Sequence, residues 1–319
     1  MRITLVVPCF NEVDIIEQFH QAVSHELAAT ESTYEIIYVD DGSKDGTLAA
    51  LTGLAADDPS VRYLSFSRNF GKESAMLAGL RHANGDAVIL MDADLQHPPE
   101  LIGRMLDLHD HGFDQVIARR TRAGDPAVRT VFARAYYWMI NKWAEVELID
   151  GVGDFRLISR RAVDGLLELP EYNRFSKGLF AWIGFDSVVF EYENVKRETG
   201  RSRWSFRTLF EYGLDGLLSF NNRPLRAAIY VGLSLSLLAV GYAVWIGIVT
   251  ATQGVKMPGY ATLIAAIAGL GGLQMVMLGV IGEYLGRVYF ESKKRPHYLV
   301  KATNCRSSVA DPLGPGGRA

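Results

Sequence analysis

From residue 1 to about residue 119, short apolar and β-branched runs alternate with polar turns and amphipathic stretches of helical spacing. Runs at 3–7, 35–39, 62–66, 87–91 and 115–118 read as strands, and 12–29, 47–56, 74–82 and 100–109 as helices. Such alternation predicts an α/β fold with a mostly parallel sheet covered by helices. In open sheets of this kind a ligand sits beyond the carboxyl ends of the strands. Three of the loops expected there are polar: Pro8-Cys9-Phe10-Asn11-Glu12, Asp40-Asp41-Gly42-Ser43 and Asp92-Ala93-Asp94.

Past Arg119 the alternation weakens. A basic stretch is followed by a helix candidate around Tyr136-Tyr137-Trp138 and by Gly151-Val152-Gly153-Asp154-Phe155-Arg156, where the glycine-flanked Asp154 is expected on a turn. Between 205 and 220, Phe206, Leu209, Phe210, Leu214, Leu217 and Leu218 recur at helical spacing, as in a helix lying on a bilayer surface. Residues 227–250 and 260–282 contain no Asp, Glu, Lys or Arg. Each exceeds the ~20 residues needed to cross the hydrocarbon layer, so two membrane spans are expected.

Arg223 and Arg226 precede the first span and Arg287, Lys293, Lys294 and Arg295 follow the second, while the loop between holds only Lys256. Both ends and the N-terminal domain are therefore expected on the cytoplasmic face of a multi-pass inner-membrane protein. The N-terminus enters a strand pattern directly and does not read as a signal peptide. The expected plan is a domain over 1–204, a juxtamembrane helix over 205–224, a two-helix membrane region over 225–290, and a partly disordered cytoplasmic tail over 291–319.

A formal net charge of -3 argues against general nucleic-acid binding. The two cysteines, Cys9 and Cys305, lie far apart without metal-ligand spacing, which fits a reducing compartment and a small buried residue at position 9.

The chemistry concentrates at Met91-Asp92-Ala93-Asp94-Leu95-Gln96. Carboxylates two residues apart on extended backbone point to the same side, so Asp92 and Asp94 can share one hard divalent cation, Mg²⁺ or Mn²⁺, with a diphosphate.

Val7-Pro8-Cys9-Phe10-Asn11-Glu12, Val39-Asp40-Asp41-Gly42-Ser43, Arg68-Asn69-Phe70-Gly71-Lys72-Glu73 and Asp92-Ala93-Asp94-Leu95-Gln96-His97-Pro98-Pro99-Glu100 together resemble the family-2 inverting glycosyltransferases. Within them the chain is most similar to the polyisoprenyl-phosphate group, which includes bactoprenol glucosyltransferases and dolichol-phosphate mannose synthases. The likeness continues through Gly153-Asp154-Phe155-Arg156-Leu157, Gly200-Arg201-Ser202-Arg203-Trp204 and Gly282-Glu283-Tyr284-Leu285-Gly286-Arg287.

The resemblance implies a GT-A (Rossmann-like) domain that moves one sugar, with glucose from UDP-glucose as first choice, onto polyprenyl phosphate. It implies a nucleotide pocket of Pro8, Phe10, Asn11, Glu12, Asp92 and Ala93, with Asp41 and Asp40 toward the base. It also counts Gln96 with Asp92 and Asp94 among the metal residues and places Asp154 near the acceptor, as a base or as an orienter of Arg156. Lys72 has two readings, a contact to phosphate or sugar and a solvated lysine.

A lipid phosphate is largely ionised at neutral pH, so positioning and charge neutralisation outweigh a strong base. Arg120, Arg129, Arg134, Arg156, Arg197 and Arg203 are the candidate phosphate clamps, with Arg120, Arg134 and Arg203 also placed in the catalytic set. By similarity a homo-oligomer is expected, a tetramer among the options.

Two rivals are weighed against this reading. A processive polysaccharide synthase would show Gln-x-x-Arg-Trp, where this chain has Gly200 three residues before Arg203, and would need more spans. A non-catalytic adaptor would have lost one of the key carboxylates.

Overall fold

The computed structural model describes residues 1–121, 141–142, 149–193, 223–253 and 259–305. Its centre is an eight-stranded sheet of order β7-β5-β6-β4-β1-β2-β3-β8. The strands are β1 (Arg2–Cys9), β2 (Thr33–Asp40), β3 (Val61–Phe66), β4 (Ala87–Leu90), β5 (Gln115–Arg120), β6 (Val152–Ser159), β7 (Ser187–Tyr192) and β8 (Val300–Thr303). The helices are α1 (Ile16–Ala29), α2 (Thr47–Asp57), α3 (Lys72–His82), α4 (Leu101–Asp110), α5 (Arg160–Leu167), α6 (Ser176–Trp182), α7 (Arg223–Gln253) and α8 (Tyr260–Ser292).

β4, β1, β2 and β3 run parallel, and the sheet is mixed beyond them. β6 lies antiparallel to both β4 and β5, and β8 antiparallel to β3. β1 and β4 are buried almost throughout because helices cover both faces, the setting in which strands lose polar alternation. α1 shows the complementary pattern: Ile16, Phe19, His20, Val23 and Leu27 form one buried stripe over the core that holds Phe155 and Leu157. α3, α5 and α6 cover the opposite face, where Ile37, Phe66, Ile158 and Phe180 pack.

Chain order reverses at β1, which has β2 on one side and β4 on the other. The loops after β1, β2, β3 and β4 therefore meet at the place where α/β sheets take their ligands. Gly42 brings two of them together. Its φ is +68°, and a Cβ there would lie 2.3 Å from the backbone carbonyl carbon of Arg68, so only glycine lets the 40–43 turn press against the 68–71 loop.

Asp154 does not sit on a turn. It lies inside β6, and the turn falls just before it, at Gly151 with φ +80°. The register between β5 and β6 shifts between Ile117 and Arg119, so the strand accommodates its glycine at an irregularity and then pairs regularly from Arg156 onward.

The stretches expected to span a membrane are helical, α7 over 31 residues and α8 over 33. Among the described residues, however, no helix is long and apolar enough to cross a membrane. Many of their large apolar side chains face outward, among them Leu237, Leu238, Val240, Met275 and Val276. The chain then returns to the sheet, where β8 extends the β3 edge and Tyr298 stacks on Phe66 at 4.9 Å between ring centroids. The juxtamembrane stretch 205–222, the helix candidate around residue 137 and the tail beyond residue 305 lie outside the described residues.

Candidate active site

The loops after the four parallel strands enclose a cavity of about 320 Å³, lined by Pro8, Cys9, Phe10, Glu12, Asp41, Asn69, Gly71, Lys72, Ala75, Asp92, Ala93 and Asp94. Most of the residues expected around a nucleotide are on its wall. Asn11 and Asp40 are not, and both brace the loops instead. Asn11, with φ 56°, donates its N–H to Ser43 Oγ at 2.9 Å and accepts from the Lys44 N–H at 2.9 Å. Asp40 is 1% exposed and accepts from the Ser43 N–H at 2.9 Å and the Ser65 hydroxyl at 2.6 Å.

Asp41 is held from the neighbouring loop, where the N–H groups of Phe70 (2.6 Å) and Gly71 (2.9 Å) donate to its carboxylate. Burial pushes its pKa above the ordinary value, and those two donors offset only part of the rise. Cys9 is also on the wall, but burial drives its thiol well above the usual range, with the Asp40, Glu12 and Asp92 charges adding to the effect. It is a packed thiol and not a nucleophile.

The centre of the site is an ion cluster. Lys72, the first residue of α3, places Nζ 2.7 Å from Asp92 Oδ1 and 2.5 Å from Asp154 Oδ2. Burial raises the pKa of Asp92 and Asp154, but the ammonium outweighs it and holds both below the ordinary carboxylate range, with His97 assisting at Asp92 and Lys177 at Asp154. Burial likewise opposes the charge on Lys72, and the two carboxylates reverse that and raise its pKa. Three charges are thus fixed together at neutral pH, and Lys72 lies on the cavity wall paired with both carboxylates.

His97 had no assigned role in the sequence reading. Its Nε2 lies 3.7 Å from Asp92 Oδ2, its Nδ1 is 2.7 Å from the Tyr192 hydroxyl, and its ring stacks on Phe155 at 4.9 Å. Burial pushes the Tyr192 hydroxyl up to about 12, so it stays protonated and can donate to Nδ1, leaving Nε2–H to face Asp92.

Asp92 and Asp94 carry oxygen donors of the kind a hard divalent cation takes. Among the described residues no three His, Cys, Asp or Glu side chains are grouped to hold a metal. Among the described residues the carboxylates at this turn are those of Asp92 and Asp94, and Mg²⁺ is commonly held by one or two carboxylates with substrate phosphates and water as the other ligands. Gln96 donates its backbone N–H to Asp94 Oδ1 at 3.1 Å and is not among the residues lining the cavity.

Of the expected clamp residues, Arg129, Arg134, Arg197 and Arg203 lie outside the described residues. Arg120 closes β5 opposite Tyr192 of β7. Arg156 is 2% exposed, donates to the Gly153 carbonyl at 2.9 Å and lies over the Phe180 ring at 3.8 Å. It lines a second cavity of about 400 Å³, together with Gln115, Lys177 and Phe180, on the α6 side of β6.

Glu73 was also missed. It follows Lys72 on α3 and accepts from both the N–H (3.1 Å) and the hydroxyl of Ser176. Burial raises its pKa from 4.5 to about 7, against the Ser176 bonds that lower it. The folded state thus prefers neutral Glu73, and the stability it contributes is complete below about pH 4.5 and lost as pH rises through about 7. Denaturation at pH 5 and pH 8 should show wild type losing roughly 1–2 kcal/mol more than Glu73→Gln across that interval. An equal or smaller loss in wild type would reject the assignment.

Residues 4–167 match the family described as Glycosyl transferase family 2, and residues 223–288 match the GtrB C-terminal hairpin. The chain is 51% identical over 302 residues to the candidate glycosyltransferase CsbB of Bacillus subtilis (strain 168), covering 95% of this chain and 92% of that one. It is 42% identical over 302 residues to the bactoprenol glucosyl transferase of Shigella phage SfV, covering 94% and 98%. Among solved structures, the mannosyltransferase PcManGT from Pyrobaculum calidifontis, in complex with GDP-Man and Mn²⁺, has a TM-score of 0.50 at 18% identity, covering 92% of this chain and 86% of that one, and it shares the fold. The chain belongs to the family-2 glycosyltransferases, with a GT-A-like α/β domain followed by a GtrB-type helical hairpin.

Proposed function

We propose that the protein transfers a single glucose from UDP-glucose to polyprenyl phosphate, with inversion, at the cytoplasmic face of a membrane. The observation that carries the chemistry is Lys72 fixed between Asp92 and Asp154 at the mouth of the loop cavity. The choice of sugar and lipid is carried by the bactoprenol glucosyl transferases, whose whole length the chain matches.

In the proposed reaction an oxygen of the lipid phosphate attacks the anomeric carbon, and the bond from that carbon to the diphosphate breaks. A divalent cation held by Asp92 and Asp94 would supply Lewis-acid stabilisation of the negative charge on the departing diphosphate. Asp41, Phe10 and Pro8 would seat the nucleoside, and Lys72 would keep its proton at Nζ and steady the two carboxylates around the reacting phosphates. Asp154 would orient Lys72 toward the sugar, with Arg120, Arg129, Arg134, Arg156, Arg197, Arg203 and Lys177 as the cations available to the acceptor side. Association of several copies is part of the same proposal.

The hairpin is proposed to insert into lipid. At 1.5 Å per residue its helices are about 45–50 Å long, more than the ~30 Å hydrocarbon thickness. The full sequence of 227–250 and 260–282 is free of Asp, Glu, Lys and Arg, and exposed large apolar side chains such as Leu237, Val240, Met275 and Val276 support a nonaqueous partner.

The test is to incubate purified protein with UDP-glucose, Mg²⁺ or Mn²⁺ and undecaprenyl phosphate. A new glucolipid is expected, lost with EDTA and restored by the cation. Absence of product with UDP-glucose, together with product from another sugar nucleotide, would overturn the choice of donor. Product unaffected by EDTA would overturn the role of the cation.

A further inference from the structure

Glu291 stands in the last turn of α8, where the helix dipole disfavours a carboxylate. It is engaged by a distant loop: the N–H groups of Tyr172 (2.7 Å) and Asn173 (3.3 Å) both donate to its Oε1. Rings fasten the same junction, with Tyr172 stacked on Phe290 at 6.1 Å and on His297 at 5.5 Å. Arg174 secures the other side of the loop by donating to the carbonyls of Leu169 (2.9 Å) and Leu166 (3.4 Å) at the end of α5.

The loop runs directly into Ser176, the first residue of α6, whose N–H and hydroxyl both go to Glu73. Glu73 adjoins Lys72, which bridges Asp92 and Asp154. An unbroken path of hydrogen bonds and adjacent residues therefore joins the foot of the hairpin to the ion cluster.

We infer that Glu291 is a positioning residue for sugar transfer. By holding the 172–176 loop it fixes Ser176 against Glu73, and so fixes the first turn of α3 that aims Lys72. The hairpin is then part of the catalytic geometry as well as an attachment. This rests on the transferase reading above and extends it to a residue that lines neither cavity.

The experiment compares full-length wild type, Glu291→Ala, Glu291→Gln, Ser176→Ala and the Glu291→Ala/Ser176→Ala double variant, by steady-state transfer and by hydrogen exchange. Glutamine keeps an oxygen that can accept both N–H groups, whereas alanine does not. Glu291→Ala is expected to lose about 10-fold in kcat with KM for the sugar nucleotide within about 2-fold of wild type, because only alignment is disturbed. Glu291→Gln should keep at least about half of wild-type kcat, and the double variant should lose less than the product of the single losses, since both changes cut one link.

In exchange, Glu291→Ala should loosen residues 70–75 as well as 172–176, and Glu291→Gln neither. Loosening confined to 172–176, wild-type kcat in Glu291→Ala, no rescue by glutamine, or multiplicative losses in the double variant would overturn the proposal. Should Glu291→Ala fail to fold, Ser176→Ala must show the same kcat loss and the same loosening at 70–75. The exchange pattern needs no substrate, so loosening at 70–75 in a protein that transfers no sugar would sink the proposed reaction and leave the coupling standing.

Discussion

Asp92→Asn is expected to lower kcat for sugar transfer by about 10³-fold, the scale of several kcal/mol of lost charge stabilisation. The carboxylate has two partners that a carboxamide cannot serve equally: the Lys72 ammonium at 2.7 Å and the His97 ring at 3.7 Å. It is also one of only two carboxylates that the 92–94 turn can offer a divalent cation, and a neutral amide is a much poorer ligand for a hard ion. The loss should be specific to chemistry. Lys72 retains Asp154 at 2.5 Å, and Asp92 lies past the end of β4, so no strand pairing depends on its charge. Kinetics and thermal denaturation on one preparation check this: a melting midpoint near wild type with under a hundredth of its kcat is expected, and more than a tenth of wild-type kcat would remove Asp92 from the centre.

The route to that residue was open in the sequence because the parallel core announces itself. Runs at 3–7, 35–39, 62–66 and 87–91 are apolar and bounded by polar turns, and the strands at Arg2–Cys9, Thr33–Asp40, Val61–Phe66 and Ala87–Leu90 coincide with them to within a few residues. The strand-end loops then follow from topology, which is why Asp41, Asp92 and Asp94 emerge together.

What escaped is set by contacts between segments far apart in sequence. β6 begins among glycines, so local turn chemistry masked a strand stabilised from both sides by β4 and β5. β8 is four residues long and owes its conformation to the β3 edge, more than 230 residues earlier. Lys72 could be read two ways because a lysine at a helix start is usually solvated, and only the folding together of α3, β4 and β6 places two carboxylates around it. Glu73 and Ser176 are 103 positions apart, and neither carries a local signal of the pairing.

Asp154→Asn should lower kcat by about 10²-fold without changing the pH at which the rate falls on the acid side. Two readings of Asp154 compete, a base that removes a proton from the acceptor and an anion that orients a cation, expected to be Arg156 and here paired with Lys72. Burial raises its pKa, but Lys72 at 2.5 Å and the nearby Lys177 outweigh burial and hold it below the ordinary carboxylate value. A carboxylate so depressed is ionised throughout the neutral range and is a weak proton acceptor. A phosphate monoester acceptor, whose second ionisation lies near pH 6, arrives already charged above that value. The acid limb of the rate should therefore belong to the lipid phosphate, with activity lost as pH falls through about 6 and full above it. Wild type and Asp154→Asn should share that limb and differ only in height, because the variant loses the anion that holds Lys72 in line and keeps the acceptor. A limb that disappears in Asp154→Asn, or that wild type shows well away from pH 6, would assign the titration to Asp154 and restore it as the base.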